Sequence, residues 1–427
     1  MSKIIEYFKT ITAIPHCSES AEGLFDYLVS FGTRHGYTVQ TDATQNILAS
    51  KGNPDLCFQS HYDMVCMGRA PSIETVEDAG WMHAVDASLG ADNGIGIAMM
   101  MVLMEEGIEA EFLFTSDEEI GLIGASGLDL DVHASRMLNL DSEEEAEVTI
   151  GCAGGADITG EVSGEMIPGS SACYEVAVRG LPGGHSGVDI DRGIPSAIKV
   201  LFDYLHTEGV EQIASVIAGQ RRNAIPSDAI AIVRSEQPLT STDAVTVRTL
   251  DEQPEVYAQS RALIEWVHGF EHGVRSHNET LGIPQTSINL ALINDRIEAR
   301  GLTIETSARA MSMEDLNVLV AQTVAGMEAS GFAVQTGDKY PAWSPEENAF
   351  TRTVAEAMEA EFGHVVVSAI HAGLECGILS QRFPQIQFAS IGPTIRYPHS
   401  TREKVDLASV ERIFEVVKRI VEAKGEA

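Results

Sequence analysis

Two histidines and a run of carboxylates fall directly after apolar, strand-like stretches, and those residue types in those places can build metal-assisted chemistry. In Leu56-Cys57-Phe58-Gln59-Ser60-His61-Tyr62-Asp63, His61 and Asp63 stand two apart, so an extended chain turns both to one side. A histidine that gives one ring nitrogen to a metal is oriented by a carboxylate at the other, and Asp63 is placed to supply it. Asp92 follows among small residues in Ser88-Leu89-Gly90-Ala91-Asp92-Asn93-Gly94-Ile95-Gly96. Glu118 and Glu119 come after Phe112-Leu113-Phe114-Thr115-Ser116-Asp117, and Asp141 after Met137-Leu138-Asn139-Leu140. His399 lies in the Gly/Pro-rich stretch Gly392-Pro393-Thr394-Ile395-Arg396-Tyr397-Pro398-His399-Ser400. Each has a bland reading by itself. His61 and Asp63 would be a surface pair, Asp92 a helix cap, Glu118 and Glu119 a solvated turn, and His399 a loop residue. Together they make two histidines and several carboxylates, each after a strand, for which a divalent metal with mixed nitrogen and oxygen ligands is the economical account. Glu143 to Glu145 read as the solvated continuation of the Asp141 segment.

Further polar candidates lie elsewhere. His185 stands in Gly180-Leu181-Pro182-Gly183-Gly184-His185-Ser186-Gly187 and Asn223 in Arg221-Arg222-Asn223-Ala224-Ile225-Pro226. His371 and Glu375 share His371-Ala372-Gly373-Leu374-Glu375-Cys376-Gly377. Neither glycine-rich segment has the spacing or the Lys-Ser/Thr ending of a phosphate loop.

The elements that must hold these residues follow from the hydrophobic pattern. Residues 18–35 read as an amphipathic helix with Ser18 or Ser20 as cap and Gly36 past its end. Short apolar runs at 37–40, 46–50, 56–60, 111–116 and 136–140 read as strands, with a buried helix over 95–104 between them. That alternation predicts a largely parallel α/β sheet covered by helices, and ligands bind at the carboxyl ends of such strands. In the middle third, strands over 172–178, 229–234, 243–248, 286–293 and 303–308 accompany helices over 195–207, 255–272 and 313–330, an α+β layer. A loop over 339–347 leads back to a helix at 349–362, strands at 365–368 and 386–390, and a last helix over 407–423. The chain therefore reads as a catalytic domain over 1–156 and 338–427, interrupted by an inserted α+β domain over 157–337.

Composition narrows the partners. With 28 Lys and Arg against 63 Asp and Glu the formal charge is −35, which repels nucleic acid and anionic membrane surfaces. Because 44% of residues are hydrophobic, a sizeable core is available and disorder is excluded. The start lacks the apolar core of a signal peptide, and the longest apolar run, around 94–104, is about half the roughly 20 residues a membrane span needs. Six cysteines without a C-x-x-C pair predict reduced thiols in a cytoplasm.

Taken in order, the segments 61–66, 89–96, 139–145, 183–187 and 371–377 resemble the M20 family of co-catalytic metallopeptidases, and within it the aminoacyl-histidine (Xaa-His) dipeptidases. The resemblance runs nearly end to end. It implies a zinc-peptidase-like α/β fold interrupted by a lid. It also implies two divalent ions, zinc first and manganese or cobalt as alternatives, with His61 and Asp141 on one, Glu119 and His399 on the other, and Asp92 on both. Asp63 would orient His61, Glu118 would be the general base, and His185 would donate to the developing oxyanion. Asn223, Glu375 and His371 would hold the substrate. The expected activity is hydrolysis of dipeptides, with N-acyl-amino-acid deacylation on the same site as the alternative. An inactive binding protein is the third reading, but neither a ligand nor the base is missing. The partner implied is a small peptide, with a homodimer through the lid as in other family members. The chain is shorter than the subgroup's usual length, with the missing material expected in surface segments that include the stretch between Met67 and Ala87, at the rim that would set substrate choice.

Overall fold

The computed structural model describes residues 2–296 and 301–423. It divides into two units, the first comprising Met1–Cys152, Trp343–Ala369 and Leu374–Ala427, and the second Ala153–Ala342 with Ile370–Gly373.

The first unit is built on an eight-stranded sheet. Its order is Thr38–Thr41, Ile47–Ser50, Glu111–Thr115, Leu56–His61, Arg136–Asn139, Gln387–Ser390, Glu147–Cys152 and Val366–Ile370. The four central strands, from Glu111–Thr115 to Gln387–Ser390, pair in parallel. Antiparallel strands continue the sheet on both sides. Leu56–His61 and Glu111–Thr115 are buried at every position, as expected for central strands covered on both faces. Ala91–Glu106 is apolar on all sides and buried from Gly94 to Met104, a central rather than a surface helix. Leu407–Glu422 shows the opposite pattern, burying Val410, Ile413, Phe414, Val417 and Ile420 along one stripe.

A second, four-stranded sheet of this unit was not foreseen. It joins the hairpin Thr75–Asp78/Trp81–Ala84 to Lys404–Asp406 and Ile395–Arg396, all antiparallel. Its consequence for the site is direct, since the connection from Arg396 to Lys404 carries His399. The helix expected over 18–35 is shorter, Glu22–Arg34, and neither Ser18 nor Ser20 caps it. The Ser18 hydroxyl is engaged elsewhere, donating to Asp63 Oδ2 at 2.7 Å. Cys17 and Cys66 form a disulfide, which overturns the expectation of six reduced thiols. Two cysteines 49 residues apart gave no signal because only the fold brings them together. Cys57, Cys152, Cys173 and Cys376 are free and buried.

The second unit is a nine-stranded sheet with antiparallel pairings throughout its described ladders. Seven of its strands are Thr246–Leu250, Ala172–Val178, Ala229–Ser235, Gln212–Ala218, Ile283–Arg296, Gly301–Ala310 and Gly154–Ser163, in that order. Ala333–Tyr340 follows Gly154–Ser163, and Gly273–Asn278 pairs with Ile283–Arg296. Alternating burial along Gly154–Ser163 and Ala229–Ser235 leaves one face apolar. The helices Ala197–Thr207, Ser260–Gly269 and Met313–Ala329 contribute to the same core, with Leu201, Phe202, Leu263, Val267, Leu316 and Met327 buried. The strand ending at Tyr340 runs into what the sequence suggested was loop.

Candidate metal centre

The strands of the first unit deliver their polar residues to one place. His61 ends the strand Leu56–His61, and its Nε2 lies 3.2 Å from Asp92 Oδ1 and 3.3 Å from Asp141 Oδ1. His399 Nε2 lies 3.1 Å from the other oxygen of Asp92 and 2.9 Å from Glu119 Oε2. Asp92 thus stands between the two histidines with one oxygen facing each. Two sets of three ligand atoms result, His61, Asp92 and Asp141 on one side and Asp92, Glu119 and His399 on the other, each within 4.8 Å of one another. His61 with Glu118 and Glu119 makes a third such set, which places Glu118 beside the cluster.

Asp63 organises the far side of His61. Its Oδ1 is 3.5 Å from His61 Nδ1, and that ring nitrogen also lies 3.0 Å from the Asp63 carbonyl oxygen. The same carboxylate accepts the Glu118 N–H at 2.9 Å, the Glu119 N–H at 3.4 Å and the Ser18 hydroxyl. Asn93 donates through its side chain to Asp141 Oδ1. Gly96 is required here, because a Cβ would collide with Asn93 Oδ1 and Ser60 Oγ. A network beneath the cluster ties the strand ends together. Gln59 Nε2 donates to Glu375 Oε2 at 2.5 Å, Thr115 Oγ1 to the same oxygen at 2.7 Å, and Asn139 Nδ2 to Gln59 Oε1 at 2.6 Å. Glu375 itself is fully buried.

The electrostatics show what such a cluster asks for. Burial and the charges of Glu119 and Asp141 hold the Glu118 carboxyl well above the usual range, despite the opposing effect of His61. Burial likewise raises Glu119 and Asp141. Burial raises the Asp92 carboxyl too, but hydrogen bonds from His399 and His61 outweigh it and leave the group lowered. Burial would lower His399, but its bonds to Asp92 and Glu119 reverse this and push it up to about 11. Crowded carboxylates and proton-hungry histidines are stabilised by positive charge placed among them. Glu119 Oε1 is buried without a hydrogen-bond partner, an acceptor that a cation would satisfy. Nitrogen and oxygen donors in this mixture suit zinc, manganese or cobalt, so the residues fit a pair of divalent ions.

His185, Asn223 and His371 belong to the second unit, where the structure brings them near one another. His185 pairs with Ala224 in a two-residue ladder, and the Ser186 N–H donates to the Asn223 carbonyl at 2.8 Å (the His185 ring accepts from the Gly187 and Val188 N–H groups). Gly187 has no Cβ to collide with the His371 carbonyl oxygen, and His371 Nε2 is 2.8 Å from Ser287 Oγ. Sequence reasoning missed Arg309 in this group. Its guanidinium is buried, bonds Tyr340 Oη at 2.7 Å and has an unpartnered Nε. A buried cation beside neutral partners calls for an anion. An arginine inside an otherwise alternating strand pattern was the available signal.

Strand ends of this sheet, the start of the helix Ala91–Glu106 and the connection from Arg396 to Lys404 together bring two candidate sets of metal ligands into one place, the arrangement of a co-catalytic metallohydrolase. Residues 57–423 match the peptidase family M20/M25/M40, and the chain belongs to that family. It is 29% identical to the cytosol non-specific dipeptidase of Escherichia coli over 97% of this chain and 96% of that protein. The crystal structure of aminoacylhistidine dipeptidase from Vibrio alginolyticus matches with a TM-score of 0.81 and 28% identity, covering 100% of this chain and 97% of that one. A tripeptidase from Staphylococcus aureus shares the fold at 16% identity, with a TM-score of 0.60 and coverage of 99% and 98%.

Proposed function

We propose that the protein is a dipeptidase that hydrolyses its substrate with two divalent metal ions, Xaa-His dipeptides or a broader range of dipeptides being the substrate class. The observation that carries this reading is Asp92, which offers one oxygen to each of two three-ligand sets. When bound, the ions would polarise the scissile carbonyl and make a water acidic enough to lose its proton near neutral pH. His61 and Asp141 would hold one ion and Glu119 and His399 the other, with Asp92 shared and zinc the first choice of metal. Glu118 is the general base in this reading. It takes the proton from the attacking water and returns it to the departing amine nitrogen, so no net proton is consumed on the enzyme. Burial suits it to the task, because a carboxyl held above its ordinary range is a stronger base. Asp63 orients His61 through Nδ1 and, through the Glu118 and Glu119 N–H groups, also fixes the turn that carries the base.

The second unit is the lid in this proposal, with His185 as donor to the developing oxyanion and Asn223 and His371 on the substrate. Glu375, buried on Gln59 and Thr115, would serve the substrate indirectly by fixing strand ends. A cytoplasmic location and a homodimer through the lid complete the proposal. No described helix is long and apolar enough to cross a membrane.

The test is a panel of Xaa-His, Xaa-Gly and N-acetylated dipeptides, assayed after chelation and re-addition of zinc, manganese or cobalt. Cleavage of free dipeptides that vanishes on chelation and returns with metal is the expected result. Cleavage of N-acyl substrates alone would assign the protein instead to deacylation, and hydrolysis unaffected by chelation would defeat the metal mechanism.

A further inference from the structure

We propose that Glu403 is the positioning residue that sets Asp92 between the two histidines, so that binding of both metal ions depends on it. The inference rests on the two-metal reading above and assigns a residue that reading does not use. Glu403 is 2% exposed, and among the described residues its carboxylate bonds to the backbone ahead of and at Asp92. Its Oε2 accepts the N–H of Leu89 at 2.7 Å and of Gly90 at 3.0 Å. Its Oε1 accepts the N–H of Ala91 at 2.8 Å and of Asp92 at 3.4 Å. The backbone leaves helical geometry at Asp92 and Asn93, and Gly90 has no side chain to offer these N–H groups an acceptor. A carboxylate from more than three hundred residues away takes that place.

The other end of the connection is equally specific. The Glu403 N–H donates to the Ser400 carbonyl at 3.1 Å, and the Ser400 hydroxyl donates to the Tyr397 carbonyl at 2.7 Å while accepting the Arg402 N–H at 3.2 Å. Residues 397–403 therefore form one self-bonded turn that carries both His399 and Glu403. Through Glu403 the turn bearing one histidine is fastened to the segment bearing the shared aspartate. Ligand positions must hold within a few tenths of an ångström for a metal to bind well, so a shift of either segment is felt at both ions. With both oxygens committed to backbone donors, Glu403 is not a ligand. It acts through Asp92 and His399.

Glu403→Gln is the informative substitution. Its amide oxygen can serve one pair of N–H groups, but its NH2 is set against the other pair. Glu111→Gln is the control. Glu111 is equally buried, caps the His133 and Ala134 N–H groups, and lies at the opposite end of its strand from the metal ligands. The measurements are competitive zinc titration of the chelated proteins, thermal unfolding, and kcat and KM on a cleaved dipeptide. Glu403→Gln should bind zinc about 10- to 100-fold more weakly, with kcat reduced at limiting zinc and KM little changed, while Glu111→Gln loses stability with zinc affinity intact. Should Glu403→Gln fail to fold, Glu403→Asp, which keeps the charge and withdraws it by one methylene, should show the same loss in smaller degree. Wild-type zinc affinity and stoichiometry in the folded Glu403 variants would overturn the proposal. So would an equal loss in Glu111→Gln, which would mark the effect as general destabilisation. Absence of zinc binding by the wild-type protein would overturn the two-metal reading itself, a distinct result.

Discussion

Asp63 joins two parts of the candidate site. It faces the His61 ring and also receives the backbone of Glu118 and Glu119, so one carboxylate fixes the proposed metal ligand and the proposed base together. Burial raises its carboxyl, but the bond and charge of His61 and the Ser18 hydroxyl outweigh this and keep it low, as an orienting anion should be. Glu118 has the opposite character, raised by burial among like charges. The difference predicts distinct mutant signatures. Glu118→Gln should still bind two metal ions while kcat falls by about 10²- to 10⁴-fold, the usual worth of a positioned general base. Metal titration beside steady-state kinetics reads both quantities. Substantial activity in a variant that binds two ions would remove Glu118 from the role of base.

At the scale of elements, two short segments matter more than their length suggests. Residues 13–20 and 62–68 are joined by the Cys17–Cys66 disulfide and by backbone bonds from Ser18 to the Met64 carbonyl and from Met64 to that of His16. Their union presents the Ser18 hydroxyl to Asp63, which explains why Ser18 does not cap the helix that follows. Closing a loop of 49 residues restricts the unfolded chain, and by loop entropy Cys17→Ser should cost about 4 kcal/mol of stability. Denaturant unfolding of wild type and variant without reductant measures it. Thiol titration of the unfolded, unreduced wild type should find four reactive cysteines, and six would show that the pair is not bonded.

For the molecule as a whole, two histidines of the second unit, His371 buried and His272 half-buried, shape stability against pH. Burial, with Lys199 nearby, lowers His272 to about 4, and its Nδ1 accepts the Leu290 N–H as a neutral ring does. Burial, with Arg309, lowers His371 to about 3. Both folded values lie below the unfolded one near 6.5, so the unfolded chain takes up protons first as the pH falls. The stabilisation is complete above about pH 6.5. It should decline by about 1.4 kcal/mol per pH unit for each ring on the way down to pH 4. Denaturant unfolding of the chelated protein followed by circular dichroism, with His272→Phe for comparison, measures the slope. An identical slope in the variant would show that His272 takes no part. The formal charge of −35 is hardly altered by two divalent ions, so most of the acidity is a solvated exterior and only a handful of carboxylates form the site.

Sequence by itself determined many of the local elements and the inventory of candidate ligands. Period and length of the apolar runs locate strands such as Ala172–Val178 and helices such as Ala349–Phe362 because those signals depend on near neighbours. His61, Asp92, Glu119, Asp141 and His399 were legible because charged or metal-binding groups directly after buried strands are costly without a shared purpose. Tertiary structure alone decided which strands pair, that the parallel central strands are flanked on both sides by strands antiparallel to them, and that Cys17 meets Cys66. It also decided that Glu403, unremarked in an exposed-looking charged stretch, is buried on the backbone of Asp92. The physical reason is common to these cases. Pairing, bonding and burial between segments far apart in sequence are properties of the packed chain, and residue type and spacing carry no trace of them.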